Sequence, residues 1–457
     1  MLDLHIIRKR GLLYLAGLII TLAVAGCVVI GDSLDQARIH FATIPYFVFD
    51  NAPGYQKPAQ RPVFNKDINL AVAISGGGMR SAVFASGVLE QLACMPDPHD
   101  PSRMLLDRCD AISGVSGGSL AAAYYGLYKP ARLSNRQERD AFFQRFKSNM
   151  STDFLLRNTQ HYISHPWEAA MKYYTRYRFT NSLANTYDQY LFRGATFSQL
   201  NQREASGESP AIIINAASLD TGMKFLFTNL NVREHFSVDP RTLIPRLPAI
   251  VTPNDLRGME TLAKLSAIPT FQALGFDGID SDISSFRLAS AIVASSAQPI
   301  LPGPATLINY AVRGYVHLAD GAINDNLGVD SIIELYLNRI QNSGKPRQLV
   351  IISIDASGGK TINKTGDPNG YVGALSYAEK AFISLSKRSL SFSTMVYNSL
   401  DAIKFIHLRF GDSPRSNNLT NMSTMAYISE TDFHTVLGAA SDVVNLNRER
   451  IESALKR

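Results

Sequence analysis

A three-layer α/β/α domain around a mostly parallel central sheet is the fold class this sequence predicts. Short, almost continuous apolar runs alternate with segments of helical spacing, and the three sharpest glycine- or aspartate-bearing turns each follow such a run. A chain of 457 residues, 46% hydrophobic and 18% charged, has enough apolar surface for one large core of this kind.

Ahead of that domain, Arg8, Lys9 and Arg10 precede an apolar stretch from Leu12 to Ile30, and Val24-Ala25-Gly26-Cys27 places small residues just before a cysteine. Residues 1–27 therefore read as a targeting segment that resembles a bacterial lipobox, with Cys27 as the lipid-bearing anchor of an exported, membrane-associated lipoprotein. Two other readings stay open: a single uncleaved N-terminal membrane helix and an ordinary cleaved secretory peptide. Residues 28–66, with Pro45, Pro53, Pro58 and Pro62 and no clear periodicity, read as a tether and N-terminal arm.

The domain, residues 67–357, opens with Ile68-Asn69-Leu70-Ala71-Val72-Ala73-Ile74, a buried parallel strand by pattern. Ser75-Gly76-Gly77-Gly78-Met79-Arg80 follows, then a helix over 81–92 with Val83, Phe84, Val88, Leu89 and Leu92 near helical spacing. The strand Asp110-Ala111-Ile112 leads to Gly114-Val115-Ser116-Gly117-Gly118 and a helix over 120–128. Residues 131–202 form a helical insertion rich in aromatics and charge; His161 to Trp167 and Tyr173 to Phe179 suit either an interfacial lid or packing onto the core. Pro210 to Asn215 and Leu349 to Ile354 are further strands. Tyr315-Val316-His317-Leu318-Ala319 approaches Asp320-Gly321-Ala322 as a strand, and a helix follows over 329–340. Residues 358–457 read as a C-terminal α/β extension packed on the domain.

The three turns carry chemistry. Gly76, Gly77 and Gly78 let the backbone approach a ligand closely and present N–H groups to an oxyanion at the start of a helix. A nucleotide-phosphate loop is the competing reading, but the Gly-Lys-Ser/Thr and Gly-x-Gly-x-x-Gly patterns are absent. Gly114-x-Ser116-x-Gly118 between an apolar strand and an apolar helix is the context of a nucleophile elbow, in which Ser116 is lifted into the open and side chains at the flanking positions would clash. Ser75, Ser113 and Ser119 read as structural. Asp320 is placed to take the serine proton, with Gly321 in the turn and Asn324 and Asn326 bracing it. Together these describe a serine acyl hydrolase. His407 and His434 keep a conventional triad open, although neither sits in a turn at a strand end; a direct Ser116–Asp320 pair is the better reading. Arg80 orients the glycine loop, meets a phosphate headgroup, or ends a helix.

Cys94 and Cys109 bracket a proline-containing segment, and a disulfide between them or two free thiols are both compatible with the sequence. The net charge of +6 comes from scattered Lys and Arg and suits anionic lipid headgroups; no nucleic-acid-binding signature accompanies it. No zinc or calcium ligand spacing is present, so neither metal nor other cofactor is expected.

These residues resemble the patatin-like phospholipase family. The resemblance runs from about Asn69 to Leu335 through Gly76-Gly77-Gly78-x-Arg80, Gly114-x-Ser116-x-Gly118, Tyr187 with Leu191-Phe192-Arg193-Gly194 and Thr196-Phe197, Ala291 with Ser295-Ser296-Ala297-Gln298-Pro299, and Asp320-Gly321-Ala322 with Asn326. It implies a patatin-like fold, a Ser-Asp dyad without histidine, and hydrolysis of acyl esters in phospholipids or related lipids through an acyl-enzyme at a membrane surface. Acyl transfer by the same dyad, or lipid binding without catalysis, are the alternatives. Ser75 stands where plant patatins carry aspartate, and Ala322 where many members carry glycine; neither departure removes a reacting group.

Overall fold

The computed structural model describes residues 48–164, 179–249, 251–298, 304–343, 348–356, 384, 402–418 and 428–456. Cys27 and the whole 1–27 segment, Trp167, Tyr173 and most of 357–401 lie outside the described residues. The chain divides into 1–48 with 162–178 and 49–161 with 179–457; everything below concerns the second unit.

One nine-stranded sheet organises it: β1 Ile68–Ile74, β2 Ala111–Val115, β3 Ala211–Ser218, β4 Lys224–Phe227, β5 Ala273–Leu274, β6 Ala305–Asn309, β7 Gly314–Asp320, β8 Gln348–Asp355 and β9 Ile403–Arg409. The order is β6-β7-β3-β2-β1-β8-β9, with β4 on β3 and β5 on β4. Strands β3, β2, β1, β8 and β9 run parallel, whereas β7 and β4 run antiparallel to β3 and β6 antiparallel to β7. The sheet is thus mixed and mostly parallel.

Period-two alternation sends each strand's residues into two separate cores. Ile68, Leu70, Val72 and Ile74 enter one with Ile112, Ile212, Ile214, Ile352 and Ile354; Ala71, Ala73, Ala111, Ile213 and Ile351 enter the other. Helices cover both faces: α1 Gly78–Ala93, α2 Gly117–Tyr128, α3 Arg136–Met150, α4 Pro253–Ser266, α5 Leu288–Ser295, α6 Val329–Ser343 and α7 Glu430–Leu455. Residues of α1, α2, α3, α5 and α7 fill the first core, and those of α4 and α6 the second. This is a three-layer α/β/α arrangement. Each β1 aliphatic enclosed on both sides contributes about 2 kcal/mol of burial, so a charge at Val72 would break the layer.

Two segments at the chain's ends join this body. Phe49 and Phe64 are buried in the first and second cores respectively, and Asn51 donates to Ser281 Oγ and to Ile308 O at 2.9 Å. At the other end β9 extends the sheet, and α7 lies so close to α1 that a Cβ on Gly87 would stand 2.8 Å from Ala440 Cβ. Among the described residues no helix is long and apolar enough to cross a membrane.

Cys94 and Cys109 are free thiols, which corrects the disulfide alternative. Cys94 caps the exposed end of α1, whereas Cys109 is enclosed in the core, where its thiol donates to Ala111 O and burial pushes it up to about 12.

Candidate active site

The glycine turn is fixed at its base and open at its tip. Ser75 N–H donates to Ile354 O at 2.9 Å, and Ser75 Oγ accepts from Ala356 N–H at 2.9 Å, so the end of β1 is tied to the end of β8. Gly77 and Gly78 have φ of 142° and 58°, a backbone path that favours glycine. Helix α1 starts there with no side-chain cap, and among the described residues the Gly77 and Gly78 N–H groups meet no protein acceptor. Gly76 differs: its N–H donates to Asn326 O at 3.0 Å. That bond removes Gly76 from the oxyanion donors the sequence suggested and gives Asn326 its role, through its backbone carbonyl.

The Ser116 turn lies against that loop. Ser116 has φ 53° and ψ −124°, a conformation that costs a non-glycine residue on the order of 1–3 kcal/mol. Its N–H donates to Ser295 Oγ at 2.9 Å, and Ser295 Oγ donates in turn to Asn215 O at 2.5 Å. Ser119 Oγ shares a 2.8 Å hydrogen bond with the same Ser295 hydroxyl. The Ser116 side chain makes no capping bond to α2, so its hydroxyl is not consumed in holding the helix. A Cβ on Gly117 would lie 2.0 Å from Gly78 O, which is why the elbow and the glycine loop touch only if that residue is glycine. Gly114 and Gly118 pack in the same crowded backbone, with Gly118 against Ile74 O.

Sheet register brings the carboxylate to the serine. Along one edge of β3, Val115 of β2 pairs with Asn215 and Asp320 of β7 pairs with Ala216, while β4 occupies the opposite edge from Ile214 to Ala217. Strands β2 and β7 therefore run toward each other on the same edge and end at adjacent residues of β3. Ser116 follows the last residue of one, and Asp320 is the last residue of the other. Gly321 permits this meeting, since a Cβ there would be 2.3 Å from Asn215 O.

Asp320 is 1% exposed. Its N–H donates to Ala297 O at 2.8 Å, and its Oδ1 accepts from Ala322 N–H at 2.9 Å. Oδ2 is buried and, among the described residues, accepts no hydrogen bond of ordinary geometry. Burial pushes the carboxyl up to about 6; the Ala322 N–H and the nearby Ser116 hydroxyl and Gln298 side chain oppose it. A carboxylate with one oxygen short of a hydrogen-bond donor, next to a serine hydroxyl and poised near neutrality, has the properties of a general base.

Other candidates fall elsewhere. His407 lies on β9, three strand spacings of about 4.8 Å, roughly 14 Å, from β2, and its Nε2 pairs with Asp355 Oδ2 at 2.9 Å. His434 is on α7. Arg80 is 8% exposed, its guanidinium 5.8 Å from the centre of the Phe410 ring; burial draws it below its ordinary value and Asp355 opposes that. It lies within the core beneath the glycine turn. Ser295 and Asn215 were not singled out for any role by residue reasoning. Asn215 had a signal, a polar residue closing the apolar strand Ile212-Ile213-Ile214; Ser295 had only its place in a run shared with a family. Among the described residues no group of three His, Cys, Asp or Glu is placed to hold a metal ion.

Comparison with known proteins adds three findings. The sequence model of the family described as patatin-like phospholipase matches residues 72–333, more than half of the chain. No curated protein sequence matches. Among solved structures, human GIVD cytosolic phospholipase A2 with methyl gamma-linolenyl fluorophosphonate and terbium chloride is similar at 13% identity and TM-score 0.40, over 87% of this chain and 60% of that one. The same human protein without inhibitor gives 12% identity and TM-score 0.42, over 85% and 62%. VipD from Legionella pneumophila gives 11% and 0.31, over 90% and 73%. The chain thus spans about 60% of the length of the human structures it matches.

Proposed function

The chain belongs to the patatin-like phospholipase family, and from that premise we propose that it is a serine acyl hydrolase cleaving acyl esters of phospholipids or related lipids through an acyl-enzyme, with Ser116 as nucleophile and Asp320 as its base. The observation that carries this reading is the meeting of β2 and β7 on one edge of β3, which sets a buried, under-bonded carboxylate beside a serine on a strained turn.

Asp320 takes the Ser116 proton as Oγ bonds to the ester carbonyl carbon. The carbonyl oxygen becomes an oxyanion facing the Gly77 and Gly78 N–H groups at the positive end of α1, where one such donor is worth about 3 kcal/mol. Collapse breaks the ester C–O bond, and the proton passes from Asp320 to the departing alcohol. Water then attacks the acyl-enzyme, giving its proton to Asp320, and Ser116 recovers a proton as the fatty acid leaves. The bond from Ser116 N–H to Ser295 Oγ and the close approach of Gly117 to Gly78 O hold the elbow backbone before substrate arrives, so that ordering is not repeated in each turnover.

The test is fluorophosphonate labelling read by intact mass, with fatty acid release from mixed phospholipid micelles, for wild type, Ser116→Ala, Asp320→Asn and His407→Ala. Labelling and release are expected to vanish in Ser116→Ala, release to fall at least about a thousandfold in Asp320→Asn, and His407→Ala to stay active. Release that survives Asp320→Asn but not His407→Ala would replace the dyad with a triad, and a folded wild type that neither labels nor turns over would make this a lipid-binding protein. Attachment to a membrane through Cys27 is part of the same proposal; incorporation of radiolabelled palmitate that persists in Cys27→Ser would exclude it.

A further inference from the structure

The three glycines of the first turn are not glycine for one common reason. Gly77 and Gly78 need positive φ, whereas Gly76 does not have it, and the Gly76 N–H is already bonded to Asn326 O at 3.0 Å. What excludes a side chain at Gly76 is the Asn326 carboxamide: a Cβ there would stand 2.6 Å from Asn326 Oδ1. The same point lies 3.5 Å from Ser116 Cβ and 3.6 Å from Ala322 Cβ. One carboxamide therefore sits where the glycine loop, the nucleophile and the turn after Asp320 come together.

Asn326 is 8% exposed, and among the described residues its side chain makes no hydrogen bond. Neither of its amide atoms is enclosed without a partner in the way that Asp320 Oδ2 is, so what stays open on this residue is the carboxamide. An amide so nearly enclosed and unmatched by the protein is costly, and such groups are retained where a ligand completes their bonds. The backbone that carries it is braced on both sides. Asn324 N–H and Asp325 N–H each donate to Gly321 O at 3.1 Å, and the Asp325 carboxyl accepts from Leu327 N–H at 3.0 Å and Asp330 N–H at 2.7 Å.

We infer that Asn326 is a catalytic residue: its Nδ2 donates to the substrate's carbonyl oxygen as that oxygen becomes an oxyanion, supplying, beside the Gly77 and Gly78 N–H groups, the donor that Gly76 cannot. The inference rests on the functional reading above. Asn326 then acts on the oxyanion loop twice, closing off the Gly76 N–H with its carbonyl and replacing it with its side chain. With Oδ1 turned to Gly76, Nδ2 is the arm left for substrate. A neutral amide on a braced backbone suits the task, because its bond strengthens as negative charge gathers on the oxygen and needs no rearrangement at that moment.

The experiment compares full-length wild type with Asn326→Ala and Asn326→Asp, and with Asn342→Ala at an exposed position of α6 as the control. Three quantities are read: fatty acid release from phosphatidylcholine in mixed micelles, inhibition by a long-chain alkyl trifluoromethyl ketone, and inhibition by the diether analogue of the same phospholipid. Ser116 Oγ adds to the ketone carbon, its proton passing to Asp320, and an oxyanion forms where the transition state has one; the diether has no carbonyl oxygen to hold. Asn326→Ala is expected to lower kcat on the order of a hundredfold or more with KM within about threefold, and to weaken the ketone by a similar factor while leaving the diether unchanged. Asn326→Asp keeps the shape but, when ionised, has no N–H to give and sets a carboxylate beside the oxyanion, so its loss should be at least as large. Asn342→Ala should match wild type. Asn326→Ala removes no side-chain hydrogen bond to the described residues, so its melting temperature should stay within a few degrees of wild type. If the alanine variant nevertheless melts early, the near-isosteric Asn326→Asp decides alone. Wild-type kcat and ketone affinity in the variants would overturn the inference. Equal loss of ketone and diether affinity would overturn it too, making the carboxamide a wall of the cleft instead of a donor to developing charge. A wild type without Ser116-dependent release defeats the functional reading instead.

Discussion

Replacing Asp320 by asparagine should abolish turnover and at the same time make the protein more stable. The exchange is nearly isosteric, and an asparagine Oδ1 can still accept from Ala322 N–H at the 2.9 Å the carboxylate now occupies. What it removes is a buried charge. The carboxyl sits at about 6 against an ordinary 3.8, and each pH unit is worth about 1.4 kcal/mol, so ionising it in the folded protein costs about 3 kcal/mol. The folded state therefore binds this proton more tightly than the unfolded chain. Its contribution is fully present below pH 4, is lost as pH rises toward 6, and stays lost above it. Thermal melts of wild type and Asp320→Asn at pH 7.5 should differ by a few degrees in favour of the variant, and melts at pH 4 by almost nothing. In the same window wild-type kcat should fall tenfold per pH unit below about 6. A variant no more stable at pH 7.5, or equally stabilised at both pH values, would refute the reasoning that burial holds Asp320 against its charge.

Gly117→Ala places a methyl 2.0 Å from Gly78 O and should separate the elbow from the oxyanion loop, with kcat/KM down on the order of a hundredfold in a protein that still melts cooperatively. Ser295→Ala removes the hydroxyl that accepts from Ser116 N–H and donates to Asn215 O; stability should fall by about 1–3 kcal/mol and fluorophosphonate labelling should slow, whereas Ser295→Thr should recover both in part. With both cysteines free, a reductant should leave the melting temperature unchanged, and iodoacetamide should alkylate Cys94 in the native protein but Cys109 only after unfolding.

The parts legible in the sequence are those set by local pattern. Strands β1, β2, β3 and β8 announce themselves because both faces are covered, which forces continuous apolar runs. Helix α1 begins at Gly78, three residues before the spacing suggested, because the positive-φ glycines lead straight into it. The turns that carry Ser116 and Asp320 were legible because an elbow and a strand-end turn each demand particular residues. The remainder is set by partners far apart in the chain. Gly76 looks like its two neighbours until Asn326, 250 positions later, is found accepting its N–H. Lys224-Phe225-Leu226-Phe227 gives no sign that its lysine is buried, since the carboxylates that compensate it lie on α6 and the turn before it. Cys94 and Cys109 are near in sequence but face different surroundings, and only burial tells them apart.

The direct meeting of serine and carboxylate follows from strand direction. In a wholly parallel sheet every strand would end on the same side, each beside its neighbour, and a carboxylate at one end would stand a strand spacing or more from a serine at another, about 4.8 Å between backbones; an imidazole is a natural bridge across such a gap. Here β7 runs against β3 on the edge that β2 has just vacated, so the two strand ends meet tip to tip at Asn215 and Ala216, the arrangement that the proposed direct pair requires. Asn215 enforces that meeting. Its Nδ2 donates to Ser113 Oγ and Gly114 O, its Oδ1 accepts from Ser331 Oγ, and its carbonyl accepts from Ser295 Oγ, tying β2, α6 and α5 to the point where β2 stops and β7 arrives. A polar residue within a buried strand is costly unless every bond is met. All of these are, and each of them fixes an element that borders the Ser116–Asp320 pair.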